Sequence, residues 1–216
     1  MRLIRLQVVL SIVFFSLLLA SPAFANSVNM QFNSASPSGI LGGGVYPYSV
    51  SVNRIATSLL CDSYDNTVKK GETWTATETP FLQGIKNSLF GPSMTADYKA
   101  AGLIFKSMLA GTLTATKANW AIWGLFSSTA RAQSQFGTTG AAAIDASYLA
   151  LASGAKNSAF NGLVLYTPIA GTQSMGMGTP QEFIGFSTVP EPGTLMMLGT
   201  GLVGLAGVIR RKIASV

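Results

Sequence analysis

Two short segments of the 216-residue chain carry side chains that could perform covalent chemistry. The first is Leu59-Leu60-Cys61-Asp62, which holds the only cysteine, and the second is the run from Ala118 to Trp123, Ala-Asn-Trp-Ala-Ile-Trp. A lone cysteine is either a small buried hydrophobe or a reactive group. The sequence contains no histidine, which excludes Ser-His-Asp triads, Cys-His dyads and His-rich zinc sites. Any chemistry at Cys61 must therefore proceed without an imidazole base.

The remaining oxygen-bearing side chains are better explained by local structure than by a site. Asp62, Asp65 and Asn66 could bind calcium, but their spacing does not fit an EF-hand loop, and a turn explains them. Glu72 and Glu78 are both carboxylates, but nothing in the sequence places them about 5–9 Å apart for glycoside hydrolysis. We expect no catalytic residue, no metal site and no cofactor.

The net charge of +6 lies mostly at the two ends of the chain. Arg2 and Arg5 are near the N-terminus, and Arg210, Arg211 and Lys212 are near the C-terminus. Between residues 26 and 189, nine basic residues are opposed by seven acidic ones, which leaves a net charge of +2. A nearly neutral middle has no basic stripe that could displace counterions from phosphates, so nucleic acid is not an expected partner.

Residues 1–25 have the three parts of a secretory signal peptide. A basic start is followed by the apolar stretch Leu6–Ala20 and then by Ala23-Phe24-Ala25. The small-x-small pattern of these last three residues predicts cleavage after Ala25. An N-terminal membrane anchor is the alternative, but the short apolar run and the clean cleavage site favour export.

The C-terminal residues 189–216 predict a membrane-spanning tail. Pro190-Glu191-Pro192 precedes an uncharged run over residues 193–209, and Arg210-Arg211-Lys212 follows it. As a helix, this run would be about 25 Å long, and the basic residues can reach the membrane surface to close the gap to about 30 Å. Its repeated glycines argue against a buried core helix and are frequent in membrane helices. Basic residues at its end place that end in the cytoplasm.

This order of Pro-Glu-Pro, glycine-rich span and basic end resembles the PEP-CTERM sorting signal of Gram-negative bacteria. The resemblance covers about the last 26 residues of the chain. It implies recognition by an exosortase, a membrane protease of transpeptidase type, with removal of the tail after transient anchoring in the inner membrane. It also implies passage to the periplasm, cell surface or extracellular matrix, with exopolysaccharide and biofilm as the usual association.

Residues 26–188 are long enough for one domain with a proper core. Tyr48, Val50 and Val52 alternate as in a strand, whereas the residues after Thr95, the expected N-cap of the first helix, have helical spacing. The pattern predicts strands at 45–53, 58–64, 68–77, 162–167 and 182–188, and helices at 96–110, 116–126 and 139–153. This order predicts an α+β fold, a β-sheet or barrel with a three-helix insert.

The segments around Cys61 and Asn119 are similar to the paired signatures of bacterial surface thioester (TQXA-type) domains. In that family a leucine or aromatic residue precedes a cysteine on a strand, and apolar-Gln-x-Ala-x-Trp opens a helix. Sulfur and carboxamide condense, with loss of ammonia, into a buried thioester that captures an amine. The resemblance assigns Cys61 to the cysteine and Ala118, Ala121 and Trp123 to the helix signature. Asn119 stands where glutamine is expected, and its carbonyl carbon should lie about 1.5 Å further back.

The function expected from these features is that of a non-enzymatic exported protein associated with the surface or exopolysaccharide. The alternative is an adhesin that attaches covalently through Cys61 and Asn119. Because asparagine is short and no histidine can act as a base, we expect Cys61 to be buried, near Asn119 or Trp120, and to remain a free thiol. Trp120 and Trp123, three residues apart on one helix face, are expected in the core rather than as sugar platforms.

Overall fold

The computed structural model describes residues 26–37, 44–176, 178–187, 199–201 and 203–204. The chain divides into two compact units, Phe24–Ser187 and a second unit made of Met1–Ala23 with Thr188–Val216. The few described residues of the second unit are helical. Within the described residues, no helix has the length and apolar character needed to cross a membrane. Several of the sequence predictions fall outside the described residues. They are the predicted signal peptide, most of the predicted span over 193–209, the Pro190-Glu191-Pro192 motif, and Arg210, Arg211 and Lys212.

The unit Phe24–Ser187 is built on a closed antiparallel β-barrel. Its strands are β1 (Asn26–Pro37), β2 (Gly44–Val52), β3 (Ile55–Cys61), β4 (Thr73–Pro80), β5 (Leu163–Pro168) and β6 (Phe183–Phe186). Around the barrel they follow the order β1-β2-β3-β6-β5-β4, and β4 returns to β1. All neighbouring strands are antiparallel. The barrel that the sequence predicted as one alternative is therefore the observed form.

Strand β2 shows why the alternating sequence produces a barrel wall. Tyr48, Val50 and Val52 are buried, whereas the residues between them are partly exposed. Pro47 lies inside β2. There the pairing with β1 passes from Tyr48 to Val45, so that two residues of β2 bulge out of the ladder. A bulge accommodates proline because a residue there need not donate to the ladder.

The helices among the described residues of this unit lie between β4 and β5. They are α1 (Phe81–Gly84), α2 (Thr95–Leu109), α3 (Ala115–Phe126), α4 (Ser128–Arg131), α5 (Ser134–Thr138) and α6 (Ala141–Gly154), with 3-10 turns at Ile85–Asn87, Pro92–Met94 and Asn157–Phe160. The long helices α2, α3 and α6 pack on one another, and α3 also packs on β2. The α+β class is confirmed, and the three predicted helices are joined by shorter ones in the same insert.

Two local predictions were wrong. Thr95 is the first residue of α2 and not its N-cap, because Met94 occupies that position and the Thr95 hydroxyl donates to the carbonyl of Pro92 at 2.6 Å. The strand predicted at 58–64 is β3, which starts at Ile55, three residues earlier than expected. The strand predicted at 68–77 is β4, which starts at Thr73, five residues later than expected. Segment 62–72 forms an irregular connection, with a turn at Tyr64 and Asp65. Its apolar residues resembled strand positions because they pack against the core from a loop.

Candidate functional site

Cys61 is the last residue of β3, and the fold buries it completely between the barrel and the helical insert. It pairs with Phe183 of β6, and none of its surface reaches solvent. Leu59 and Leu60, which precede it, are also fully buried. A strand that ends in three buried residues needs cover on both faces, and the packing of α3 on the barrel supplies part of it. The predicted burial of Cys61 is observed.

Asn119, in the first half of α3, joins the helix to two strands of the barrel. Its Nδ2 donates to the backbone carbonyl of Cys61 at 3.0 Å, and its Oδ1 accepts from the backbone N–H of Tyr46 at 2.6 Å. Asn119 is fully buried, so both polar ends of the side chain are satisfied by backbone groups. The structure thus brings Cys61 and Asn119 into contact through the cysteine backbone.

The thiol of Cys61 lies in a small polar cage inside the core. Its Sγ is 3.6 Å from the carbonyl oxygen of Ser63 and 3.9 Å from the Ser63 hydroxyl. Burial is the main cause that raises the pKa of Cys61 to about 12, and negative charge at Asp62, when it is ionised, acts in the same direction. The Ser63 groups and the nearby Trp123 indole oppose this rise only in part. A thiol with such a pKa is protonated at neutral pH and is a poor nucleophile.

Aromatic side chains close the seam around Cys61 and Asn119. Trp120 and Trp123 are buried, with ring centroids 5.1 Å apart in an edge-to-face arrangement. Tyr64 contacts both indoles, at 5.7 Å from Trp120 and 5.3 Å from Trp123. These contacts show the two tryptophans as core residues, as the helical spacing predicted, because a sugar platform requires an exposed ring face.

A buried carboxylate pair adjoins the cysteine. Asp62 follows Cys61 directly, and Glu182 precedes Phe183, the β6 residue that pairs with Cys61. Both are fully buried, and the backbone N–H of Asp62 donates to the Glu182 carbonyl at 3.3 Å. Two ionised carboxylates cannot share a buried site, so one of them must hold a proton. Burial raises the pKa of Asp62 well above its usual range, and the charge of Glu182 raises it further.

The hydrogen-bond partners of the two acids identify which one is ionised. Glu182 Oε1 accepts from the hydroxyl of Tyr98, and Oε2 accepts from the N–H of Leu89 at 2.9 Å and from the hydroxyl of Thr167 at 2.5 Å. Three donors stabilise the charged form, although burial still raises the pKa of Glu182 above its usual value. No donor among the described residues reaches either Asp62 carboxylate oxygen. Within the pair, the protonated form is therefore favoured at Asp62 and the carboxylate at Glu182.

Ser63 connects this acid pair to the cysteine. Its hydroxyl accepts from the backbone N–H of Glu182 at 2.8 Å and lies beside Sγ of Cys61. Through Glu182, the network reaches Tyr98 of α2 and Thr167 of β5, so it joins the helical insert to the barrel. Sequence reasoning missed this pair because its members are 120 positions apart. The available signal was an acidic residue placed directly beside a buried apolar run at each position.

The other acidic residues considered from the sequence do not converge on one site. Glu72 is buried and its Oε2 accepts from the backbone N–H of Lys69 at 2.9 Å, whereas Glu78 lies further along β4 opposite Tyr166. Six residues of extended chain separate the two glutamates by about 20 Å, far beyond glycosidase spacing. Asn66 donates to the carbonyl of Thr179 at 2.8 Å. In the part of the chain that is described, no three acidic or cysteine side chains are grouped for metal binding.

Comparison with known proteins identifies one segment of the chain. Residues 188–212 match the PEP-CTERM protein-sorting motif. This confirms the sorting signal expected from Pro190, Glu191, Pro192 and the basic tail. Since PEP-CTERM motifs are recognised by exosortases and direct proteins to the envelope of Gram-negative bacteria, the match supports both that partner and that destination. No curated protein and no solved structure matches the chain, so the resemblance to thioester domains stays a prediction.

Proposed function

We propose that this chain is an exosortase substrate whose barrel domain serves at the cell surface, or in its exopolysaccharide matrix, as a binding or structural module without catalysis. The observation that carries the proposal is the sorting motif at residues 188–212, next to a compact unit that ends at Ser187. Signal peptide, folded domain and sorting tail then follow one another in the order that export and processing require. Exopolysaccharide is the partner that the sorting route suggests.

The geometry around Cys61 supports a non-catalytic role. The thiol is buried and its pKa is about 12, so little thiolate exists at neutral pH. Glu182 accepts from Tyr98 of the insert and Thr167 of the barrel, and both Asp62 and Glu182 lie away from solvent. In this proposal, Cys61, Asp62 and Glu182 stabilise the domain, and the surface of the domain makes the contacts with its partner.

Truncation after Thr188 tests the proposal directly. The shortened chain keeps its signal peptide and loses the sorting motif, so it should reach the periplasm or medium as a soluble, folded domain. Circular dichroism and size-exclusion chromatography of the secreted product measure this outcome. Aggregation of the truncated protein, together with packing of the 193–209 span in the domain core, would show that the tail belongs to the fold and does not serve sorting.

A covalent adhesin is the competing function, and one observation favours it. The Asn119 carboxamide donates to the backbone carbonyl of Cys61, so the two residues of the proposed thioester are neighbours. The bond would form between Sγ and the Asn119 carbonyl carbon, while the C–N bond breaks and the amide nitrogen leaves as ammonia with the thiol proton. Against it, Oδ1 and Nδ2 are both engaged by backbone groups, and the shorter side chain would close a more strained ring. Intact mass decides between them: a mature domain lighter by one ammonia establishes the adhesin.

A further inference from the structure

A polar groove crosses the outside of the barrel where β1, β2 and β4 lie side by side. Its volume is about 400 Å³, within the range of roughly 300–1,000 Å³ typical of small-molecule sites. Buried residues of the strands form its floor, and amide and hydroxyl side chains project from it, namely Asn29, Gln31, Ser51, Thr73 and Thr75. Arg54 is its one charged lining residue. The groove lies apart from the Cys61 seam and has no role in the chemistry considered above.

The groove presents hydrogen-bonding groups that have no other partner in the described parts of the chain. The side chains of Asn29, Gln31, Thr73 and Thr75 form no hydrogen bond there, and the Arg54 guanidinium forms neither a hydrogen bond nor an ion pair. Register explains how they come together: Asn29 pairs with Thr75 and Gln31 with Thr73 across β1 and β4. Residues at alternate positions point to the same face of a sheet. The array is therefore fixed by the barrel wall itself.

Arg54 occupies a backbone conformation that disfavours it. Asn53 and Arg54 form the two-residue turn between β2 and β3, with φ of 48° and 71°. Such a turn ordinarily has asparagine followed by glycine, because a side chain is strained at positive φ. Asn53 also holds the turn against β1. Its backbone N–H donates to the Asn29 carbonyl at 2.8 Å, and its side-chain Oδ1 accepts from the backbone N–H of Asn29 at 2.9 Å. These bonds hold Arg54 in its strained backbone conformation. The fold thus places a cation beside the groove, and the strain lowers the stability of the domain.

We propose that this groove binds a saccharide that carries a carboxylate, such as a uronic-acid unit of an acidic polysaccharide. The guanidinium of Arg54 pairs with the carboxylate, for which its planar fork of donors is suited. The amide and hydroxyl side chains bond to the ring hydroxyls, which both donate and accept. With no acidic residue in the lining and a single cation, charge complementarity fits one negative charge per bound unit and not a polyphosphate backbone.

The proposal extends the proposed function by naming the site and the chemical class of ligand through which a surface-retained domain holds its matrix. The two can fail separately, because binding is measured in solution and sorting is measured in cells. If the groove does not bind the saccharide, processing of the tail is unaffected. If sorting fails, the groove can still bind its ligand in the purified chain.

Calorimetric titration of the full chain in detergent tests the site, with oligogalacturonate as the probe and a neutral cello-oligosaccharide of equal length as the comparison. We expect binding of the acidic probe only, with an affinity that falls as salt is raised. Arg54→Gly should weaken binding about 10- to 100-fold, as expected for loss of a charge-assisted pair. The same change should raise Tm, because glycine adopts positive φ without strain. Loss of binding in a more stable protein cannot be ascribed to misfolding.

Lys86→Gln is the matched control, because Lys86 is exposed and lies outside the groove. The substitution removes one positive charge, as Arg54→Gly does. It should bind oligogalacturonate as the wild type does. Three results would overturn the proposal: no binding of the acidic probe by the wild type, equal binding of the neutral one, or unchanged binding by Arg54→Gly. Equal losses in Lys86→Gln and Arg54→Gly would also overturn it, since they would show attraction to overall charge and not to this groove.

Discussion

At the scale of single residues, Cys61 is a packing element whose sulfur is held away from solvent and from a base. Its pKa of about 12 lies above its ordinary 9.0, so the folded state favours the protonated thiol across the neutral range. A thiol reagent should label the native domain slowly and the denatured domain completely. Absence of labelling in denaturant, with a mass short by one ammonia, would instead show that Asn119 has formed a bond to the sulfur.

Replacing Cys61 with serine should lower the free energy of unfolding by about 1–3 kcal/mol, because a hydroxyl is buried in place of a less polar thiol. Chemical denaturation of the chain truncated after Thr188 measures the change. Surface attachment of the full-length variant should persist, since the proposed function does not use the thiol. Loss of attachment by a variant that still folds would point to the covalent adhesin.

The shared proton of Asp62 and Glu182 predicts opposite outcomes for two matched substitutions. Asp62→Asn keeps a neutral donor facing Glu182, so the free energy of unfolding at pH 7 should change by less than about 1 kcal/mol. Glu182→Gln places an NH₂ group among three donors, from Tyr98, Leu89 and Thr167, and should cost about 2–4 kcal/mol. Urea denaturation at pH 7 compares the pair. A larger loss for Asp62→Asn would reverse the assignment of the proton.

At the scale of elements, the helical insert owes its close packing to a glycine and an acid that meet between α3 and α6. A Cβ at Gly124 would lie 2.2 Å from the Phe136 ring and 2.9 Å from Oδ2 of Asp145, so only glycine fits there. Arg131 donates from Nε to the Gly124 carbonyl and from Nη2 to the Leu125 carbonyl at 3.3 Å, which satisfies the end of α3. Asp145 thus lies beside a capped helix end inside the insert.

Asp145 should make the insert sensitive to pH. Burial raises the pKa of Asp145 to about 7. Attraction by Arg131 opposes this rise, and repulsion by Asp97 adds to it. Because the folded pKa lies above the ordinary 3.8, stability from this group is present at low pH and is lost as the pH rises from about 4 toward 7. Asp145→Asn should flatten the dependence of unfolding free energy on pH between pH 4 and 8. An unchanged slope would mean that other acids, such as the Asp62–Glu182 pair, account for it.

The elements also show what can be predicted from sequence and what cannot. The alternation of Tyr48, Val50 and Val52 predicted β2 because one face of a barrel wall is buried. Strand β1 was not predicted, although Val28 and Met30 alternate with exposed residues, because register shifts after Phe32 break the alternation in its second half. Closure of the barrel depends on pairing between β3 and β6, more than 100 residues apart. Local pattern holds no information on such a contact.

The candidate site divides in the same way. A resemblance to known signatures predicted that Cys61 and Asn119 would meet, and their segments do. Glu182 could not be placed beside Asp62, because a buried charge is recognised only by partners that the fold assembles. The groove at Arg54 was also beyond prediction, since it arises from the register of β1 against β4 and from a strained turn.

At the scale of the whole molecule, Glu191 should control how long the chain remains in the membrane. Glu191→Ala alters the sorting motif at residues 188–212 without touching the barrel domain, so an unprocessed, longer, membrane-bound form should accumulate. Mass spectrometry of membrane and extracellular fractions detects the difference. Asp65→Ala is the control, because it removes one exposed carboxylate from the domain and should be processed normally. Normal processing of Glu191→Ala would refute the role given to the motif.

The closed barrel has a consequence for the proposed role at the cell surface, where many copies would be concentrated. Each of its strands has a hydrogen-bonded neighbour on both sides. Open sheet edges at high local concentration would recruit further copies by strand addition and grow into cross-β fibres that rarely dissolve. Here most of the strand backbone is already paired, although β3 pairs with β6 only at Leu60 and Cys61. Along the rest of the barrel wall, association proceeds through side chains. Cohesion through side chains is reversible, so under the proposed function a matrix that contains this domain would loosen on dilution, with salt or with a competing sugar, while each copy stays folded.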